Sequence, residues 1–201
     1  MTIVARKDFE PTDMPSFLEY VQKNADKVTM ANAGIGAASH LCGMLFMQAL
    51  AAPIVTVPYK GTGPAMTDLL GGQVDLLCDQ TTNTTEQIKG GTIKAYAVTS
   101  PKRLDIFPDL PTVAEVGLPT MEVGIWHGIY TPKGTPVAVN ERLAASLQKA
   151  LADPAIAAKF AELGTAPSSA ADATPAALKA KLEAEIARWK PIIDAAGTYA
   201  D

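Results

Sequence analysis

Along the first hundred residues, apolar positions come in short blocks that read in turn as strands and helices. After an extended start, Asp13-Met14-Pro15-Ser16 caps a helix whose Phe17, Leu18 and Val21 share one face and which ends near Asn24. Residues 27–33 read as a short strand, followed by Gly34-Ile35-Gly36 and a helix with Leu41, Met44, Leu45 and Gln48 at helical spacing. The same order recurs in residues 53–58, rich in β-branched side chains, a turn over 59–64 and a helix over 65–70 closed by Gly71-Gly72. A third copy has a strand over 74–78, a polar loop over 79–84, and a short helix through Glu86 and Ile88 that stops at Gly90-Gly91. Residues 92–99 form a fourth strand.

Strands alternating with short helices imply an α/β class with parallel pairing, right-handed crossovers and a sheet covered on both faces. Ligands of such sheets sit outside the carboxyl ends of the strands, here the loops at Gly34, Tyr59 and Asp79. Pro101, Pro108, Pro111 and Pro119 then mark a surface connection with one short helix over 112–115. Residues 122–130 look strand-like. Beyond them Pro136 opens a helix carrying Val139, Leu143 and Leu147, Asp153-Pro154 opens one ending near Gly164, and Thr174-Pro175 opens a long one carrying Leu178, Leu182, Ile186 and Trp189. Helices with a single strand need a sheet to bury their apolar faces against.

Composition narrows the function. With 201 residues, 48% of them hydrophobic, the chain can build a real core; a net charge of −4 leaves no footprint for a nucleic-acid backbone. Arg6, Lys7 and Asp8 interrupt the start where an export signal would be apolar, so none is visible. The longest apolar run, 41–57, is broken by Gln48 and Pro53 and falls short of the ~20 residues of a spanning helix. Cys42 and Cys78, one in a helix and one in a strand, read as two small buried hydrophobes rather than a pair. With only His40 and His127 as histidines, no metal centre is expected.

The candidate chemistry lies in the turn Ala33-Gly34-Ile35-Gly36-Ala37 with Ser39. A glycine-rich turn entering a helix presents main-chain N–H groups backed by a partial positive charge, glycine allows close approach, and Ser39 can add a hydroxyl. A dinucleotide fingerprint is disfavoured, because Ser39 replaces its third glycine and no acid occurs between Gly34 and Asp68. No phosphate-loop pattern is present, and no cofactor is expected. Asp79 suits both a residue that orients bridging waters or holds a ligand hydroxyl or amine and one that only orders its loop; Gln80 and Thr81 are weaker companions. Tyr59 and Lys60 end a strand on the same edge, where Tyr59 either faces the cleft or braces the sheet. His40 reads as a packed or capped histidine rather than a catalytic one, Trp126 and His127 as hinge packing, and Met44, Phe46 and Met47 as core.

A longer string of motifs carries a resemblance: Ala33-Gly34-Ile35-Gly36 with Ser39-His40-Leu41, Val57-Pro58-Tyr59-Lys60-Gly61, and Asp68-Leu69-Leu70-Gly71-Gly72-Gln73-Val74-Asp75. It continues through Lys94-Ala95-Tyr96-Ala97-Val98-Thr99-Ser100 with Arg103, Pro108-Asp109-Leu110-Pro111-Thr112-Val113-Ala114-Glu115 with Gly117-Leu118-Pro119, Trp126-His127-Gly128 and Pro132-Lys133-Gly134-Thr135-Pro136. In this order they resemble the Bug proteins, the extracytoplasmic solute receptors of tripartite tricarboxylate transporters. The resemblance implies a periplasmic-binding-protein-like lobe with a mainly parallel sheet over residues 8–122. It also implies that residues 123–201 are the hinge strand and helices of another lobe, whose opening half has no counterpart here.

By the same resemblance, the chain captures a small mono- or dicarboxylate without altering it and delivers it to membrane transporter subunits from the periplasm. The ligand residues it implies are Ala33, Gly34, Ile35, Gly36, Ala37, Ser39, Tyr59, Asp79 and Gln80, with the Gly34 turn holding one carboxyl end. Two other readings are a ligand-sensing receptor for a histidine kinase and a hydrolase using Cys78 or a serine with His127. Lacking one jaw, the isolated chain is expected to bind weakly and to associate with itself through its helical tail.

Overall fold

A computed structural model describes residues 1–197 of the chain, which divide into two compact units, Met1–Ile125 and a second from Trp126 onward. The first unit is built on a five-stranded sheet of β1 (Thr2–Arg6), β2 (Thr29–Asn32), β3 (Val55–Pro58), β4 (Leu76–Asp79) and β5 (Ile93–Val98) in the order β3-β2-β4-β1-β5. Its helices are α1 (Met14–Lys23), α2 (Ala38–Leu50), α3 (Thr62–Leu70) and α4 (Thr81–Lys89). The α/β class read from the sequence holds. β2 runs parallel to β3 and β4, as strand–helix alternation requires.

The sheet as a whole is mixed, because β1 runs antiparallel to both β4 and β5. The sequence treats these opening residues as an extended start; in the structure they form an interior strand with Ile3, Val4 and Ala5 fully buried. Apolar patterning carries no strand direction, and no βαβ connection joins β1 to either neighbour to constrain it.

Alternation along the strands divides the core into two layers. On one face, Val4, Ala31, Leu77 and Ile93 pack with Ala65, Met66 and Leu69 of α3. On the other, Phe17 of α1 stacks on Phe46 of α2 at 5.8 Å and on Tyr96 of β5 at 4.1 Å, burying ring area that contributes roughly 1.5–3 kcal/mol per residue. Helix α1 starts where the sequence places it, on an Asp13–Ser16 capping box.

Four local expectations are corrected. Cys42 and Cys78 are not separate hydrophobes: α2 lies on the sheet face toward which Cys78 projects, their Cα atoms are 6.0 Å apart, and the two form a disulfide. Helix α4 begins at Thr81 inside the expected polar loop, since burial of Thr81, Thr84 and Thr85 overrides the low helix propensity of β-branched residues. Residues 112–115 form a turn, not a helix. Thr112 N–H donates to Glu115 Oε2 (2.8 Å) and Glu115 N–H to Thr112 Oγ1 (3.2 Å), so the capping-box exchange closes without a helix behind it. Residues 122–130 contain no strand; Val123 N–H donates to the Thr99 carbonyl (3.0 Å), but no sheet partner follows.

The second unit contains α5 (Val137–Leu151), α6 (Pro154–Glu162) and α7 (Pro175–Ala196), the last two capped by Asp153 and Thr174. No residue of α5 or α6 is buried. Gly128 packs closely there, since a Cβ would lie 2.9 Å from the end of the Leu178 side chain, and the Lys181 ammonium sits 5.8 Å from the Trp126 ring centroid.

Candidate functional site

The parallel strands β3, β2 and β4 end side by side, and the chain leaves each at the same sheet edge. Tyr59 N–H donates to the Asn32 carbonyl (2.9 Å) and Gly61 N–H to the Ala33 carbonyl (3.1 Å), which ties the end of β3 to the turn after β2. Asp79 closes β4, the other neighbour of β2. This edge brings together all the residues that the sequence singles out: Ala33, Gly34, Ile35, Gly36, Ala37, Ser39, Tyr59, Asp79 and Gln80.

The turn after β2 has left-handed backbone at Gly34 (φ 121°) and Gly36 (φ 79°), and a Cβ on Gly34 would meet the Tyr59 carbonyl at 3.3 Å. Five of its amides are satisfied locally. Ala33 N–H donates to Ser39 Oγ (2.8 Å), Gly34 N–H to Asn32 Oδ1 (3.0 Å) and Gly36 N–H to His40 Nδ1 (3.2 Å). Ala37 N–H donates to the Gly34 carbonyl (3.0 Å), and Leu41 N–H, donating to the Ala37 carbonyl (3.0 Å), starts the helical ladder. The N-cap Ala37 has no side chain that could reach the first turn, so the N–H groups of Ala38, Ser39 and His40 lack a partner among the described residues, as does that of Ile35.

Ile35 and Gly36 are exposed, and no acidic residue stands in the first turn of α2 to cancel its positive end. Four unpaired amides at an open helix entrance are donors for an anion with two oxygens, such as a carboxylate.

The remaining predicted residues divide by what holds them. Ser39 is buried and its oxygen is taken by Ala33, leaving its own O–H to donate. Tyr59 turns its hydroxyl to Asp68 Oδ2 (2.7 Å) on α3, and that hydrogen bond pushes its pKa up to about 12; the main chain of Tyr59, not its hydroxyl, meets the turn. Asp79 is 2% exposed. Its Oδ1 accepts from Gln80 N–H (2.7 Å) and Asn83 Nδ2 (3.3 Å), which orders the start of α4, while Oδ2 is buried with no hydrogen-bond partner among the described residues. A buried carboxylate oxygen without a donor is costly, and a ligand hydroxyl, ammonium or water would relieve it. Gln80, half-buried, supplies the N-cap of α4 through its backbone.

Two residues that shape the turn are not among those the sequence marks as binding. Asn32 is readable in retrospect, because an asparagine two residues before an amide in a glycine turn is a common local acceptor. His40 has no such sequence signal; burial lowers its pKa, which keeps Nδ1 available to accept. The disulfide joins Cys42, one turn beyond Ser39, to Cys78, the residue before Asp79, and so links the helix bearing the turn to the strand bearing the acid. It also removes the thiol that a Cys78 hydrolase would need. Among the described residues no group of three or more His, Cys, Asp or Glu could hold a metal, and no helix is long and apolar enough to cross a membrane.

The profile of the tripartite tricarboxylate transporter family receptor, TctC, matches residues 1–198. A UPF0065 protein of Agrobacterium vitis is 52% identical over 98% of this chain and 57% of its own length, and protein BugT of Bordetella pertussis is 30% identical over 98% of this chain and 60% of its own. The chain thus spans somewhat over half the length of these relatives. Among solved structures, the periplasmic binding protein BugD superposes with a TM-score of 0.92 at 54% identity, covering all of this chain and 67% of that one. MatC from Rhodopseudomonas palustris with bound malate gives 0.90 at 34% identity, over 96% of this chain and 65% of that one. A further R. palustris protein, with adipate, gives 0.88 at 29% identity, over 98% and 65%. By sequence along nearly its whole length and by fold, this chain belongs to the tripartite tricarboxylate transporter receptor family.

Proposed function

We propose that the chain binds one carboxyl end of a small mono- or dicarboxylate at the Ala33–Ala37 turn. In this reading, the ligand-binding lobe expected over residues 8–122 also takes in β1 (Thr2–Arg6), and residues 123–201 belong to the other lobe of an extracytoplasmic receptor. That receptor hands its ligand, unaltered, to the membrane subunits of a tripartite tricarboxylate transporter. The observation that carries the reading is the set of four unpaired amides at an exposed helix entrance, in a family whose solved relatives include one with malate and one with adipate. Asp79 Oδ2, with Gln80 beside it, would take a donor from the ligand or from a bridging water. Ser39 offers its hydroxyl, and Tyr59 fixes the turn through its main chain. The Cys42–Cys78 disulfide fits an oxidising compartment such as the periplasm.

The test is an amide-resolved NMR titration of the full chain with malate and with adipate up to about 10 mM, a range that detects binding as weak as roughly 4 kcal/mol. Shifts should concentrate at Ile35 and Ala38–His40 and be absent with an uncharged diol. A turn that responds to neither acid, or equally to the diol, would refute the assignment.

A further inference from the structure

Three side chains hold the Ala33–Ala37 turn in shape, and only one of them titrates. Asn32 and Ser39 accept the Gly34 and Ala33 amides whatever the pH, whereas His40 accepts the Gly36 amide only while Nδ1 carries no proton. Gly36 sits at φ 79° and its N–H makes no other bond among the described residues, so His40 is what fixes this left-handed residue between the unpaired amides of Ile35 and Ala38.

We propose that His40 is a positioning residue of the anion-binding turn: its unprotonated Nδ1 holds the Gly36 N–H and keeps the neighbouring free amides aimed at a carboxylate, so affinity falls on acidification. The inference rests on the reading of the turn as the carboxylate site. The geometry gives the direction of the effect, because an imidazolium would turn a second N–H toward the Gly36 N–H and the two donors would part. Charged groups on adjoining elements are Lys60 after β3, Asp79 at the end of β4 and Glu122 after the 3₁₀ turn (Pro119–Met121) that packs against α2. None of them perturbs His40; burial alone does, and it favours the neutral ring. A bound anion acts oppositely, by attracting the imidazolium, so the sign of the pH dependence discriminates between a latch and a simple counter-charge.

Two variants separate the roles. His40→Asn keeps an acceptor at the position of Nδ1 but cannot titrate; His40→Leu keeps bulk and loses the acceptor. In malate titrations of the full chain at pH 7.5, H40L should bind about tenfold more weakly and exchange its Gly36 amide about tenfold faster, while H40N stays close to wild type. Between about pH 7.5 and 5, wild-type affinity should fall further than that of H40N, which carries malate's own titration as the baseline. Nitrogen shifts of the His40 ring at pH 7.5 should show the proton on Nε2. A proton on Nδ1, H40L equal to wild type in a turn that still responds to malate, or wild-type affinity that rises on acidification relative to H40N would each overturn the role of His40. A wild-type turn silent to malate would instead overturn the site reading beneath it.

Discussion

The two units contain similar amounts of amphipathic helix and end in opposite states. In the first, Phe9, Phe17, Phe46, Met30 and Leu69 are buried to 1% exposure or less, because α1–α4 have a sheet face to lie on. In the second, α5 and α6 bury nothing fully, and Ile129, Tyr130, Val137, Val139, Leu143 and Ile186 are exposed. The second unit has no strand among the described residues, so its helices have only one another to cover. Helical spacing of apolar residues specifies which face a helix would bury; whether that face finds a partner is decided by the rest of the architecture. The unit with the sheet is also the one whose turn is bonded by Asn32, Ser39 and His40 so as to leave neighbouring amides unpaired among the described residues.

This contrast can be attacked first in the core. Phe17→Ala should lower unfolding stability by about 3–5 kcal/mol, whereas Leu143→Ala, on an exposed stretch of α5, should cost less than about 1 kcal/mol. Urea denaturation followed by circular dichroism measures both, and equal losses would erase the distinction. Next in size is the disulfide: replacing Cys42 and Cys78 together by alanine should cost roughly 2–4 kcal/mol. A reducing agent should shift the wild-type transition to the same midpoint and leave the double variant unmoved. The smallest effect is expected at Tyr59→Phe, about 1 kcal/mol through loss of the bond to Asp68. Since its pKa is raised from 10.0 to about 12, the unfolded chain releases this proton first. The Tyr59 contribution is therefore complete below the unfolded value and disappears as pH rises through the folded one. Ultraviolet titration should show two tyrosines ionising late, Tyr59 and the buried Tyr96, and one of the two should be lost in Y59F.

Much of the first unit was legible because local signals and tertiary context agree there. Asp13-Met14-Pro15-Ser16 reads as a cap and is one; Gly34 and Gly36 read as a turn entering a helix and have the left-handed backbone that such a turn needs. Where they disagree, the sequence misleads in a physically specific way. Thr112 and Glu115 form their reciprocal bonds, yet the chain turns at left-handed Gly117 two residues on and leaves no helix to cap. The threonines at 81 and 84 look like loop residues and become helix once buried. β1 reads only as an extended start, because strand direction is not encoded in so short a run as Thr2 to Arg6. The location of the candidate site could be read from the glycines, but its satisfied amides could not. Which N–H is free depends on where Asn32, Ser39 and His40 point, and those bonds exist only after the chain has folded.

The carboxylate assignment is tested most directly by a crystal structure of the chain grown with malate. The expected result is a malate carboxylate whose oxygens lie about 3 Å from main-chain N–H groups among Ile35, Ala38, Ser39 and His40, with the five internally bonded amides of the turn unchanged. Malate bound elsewhere, or a turn whose N–H groups are filled by side chains of the protein itself, would contradict it.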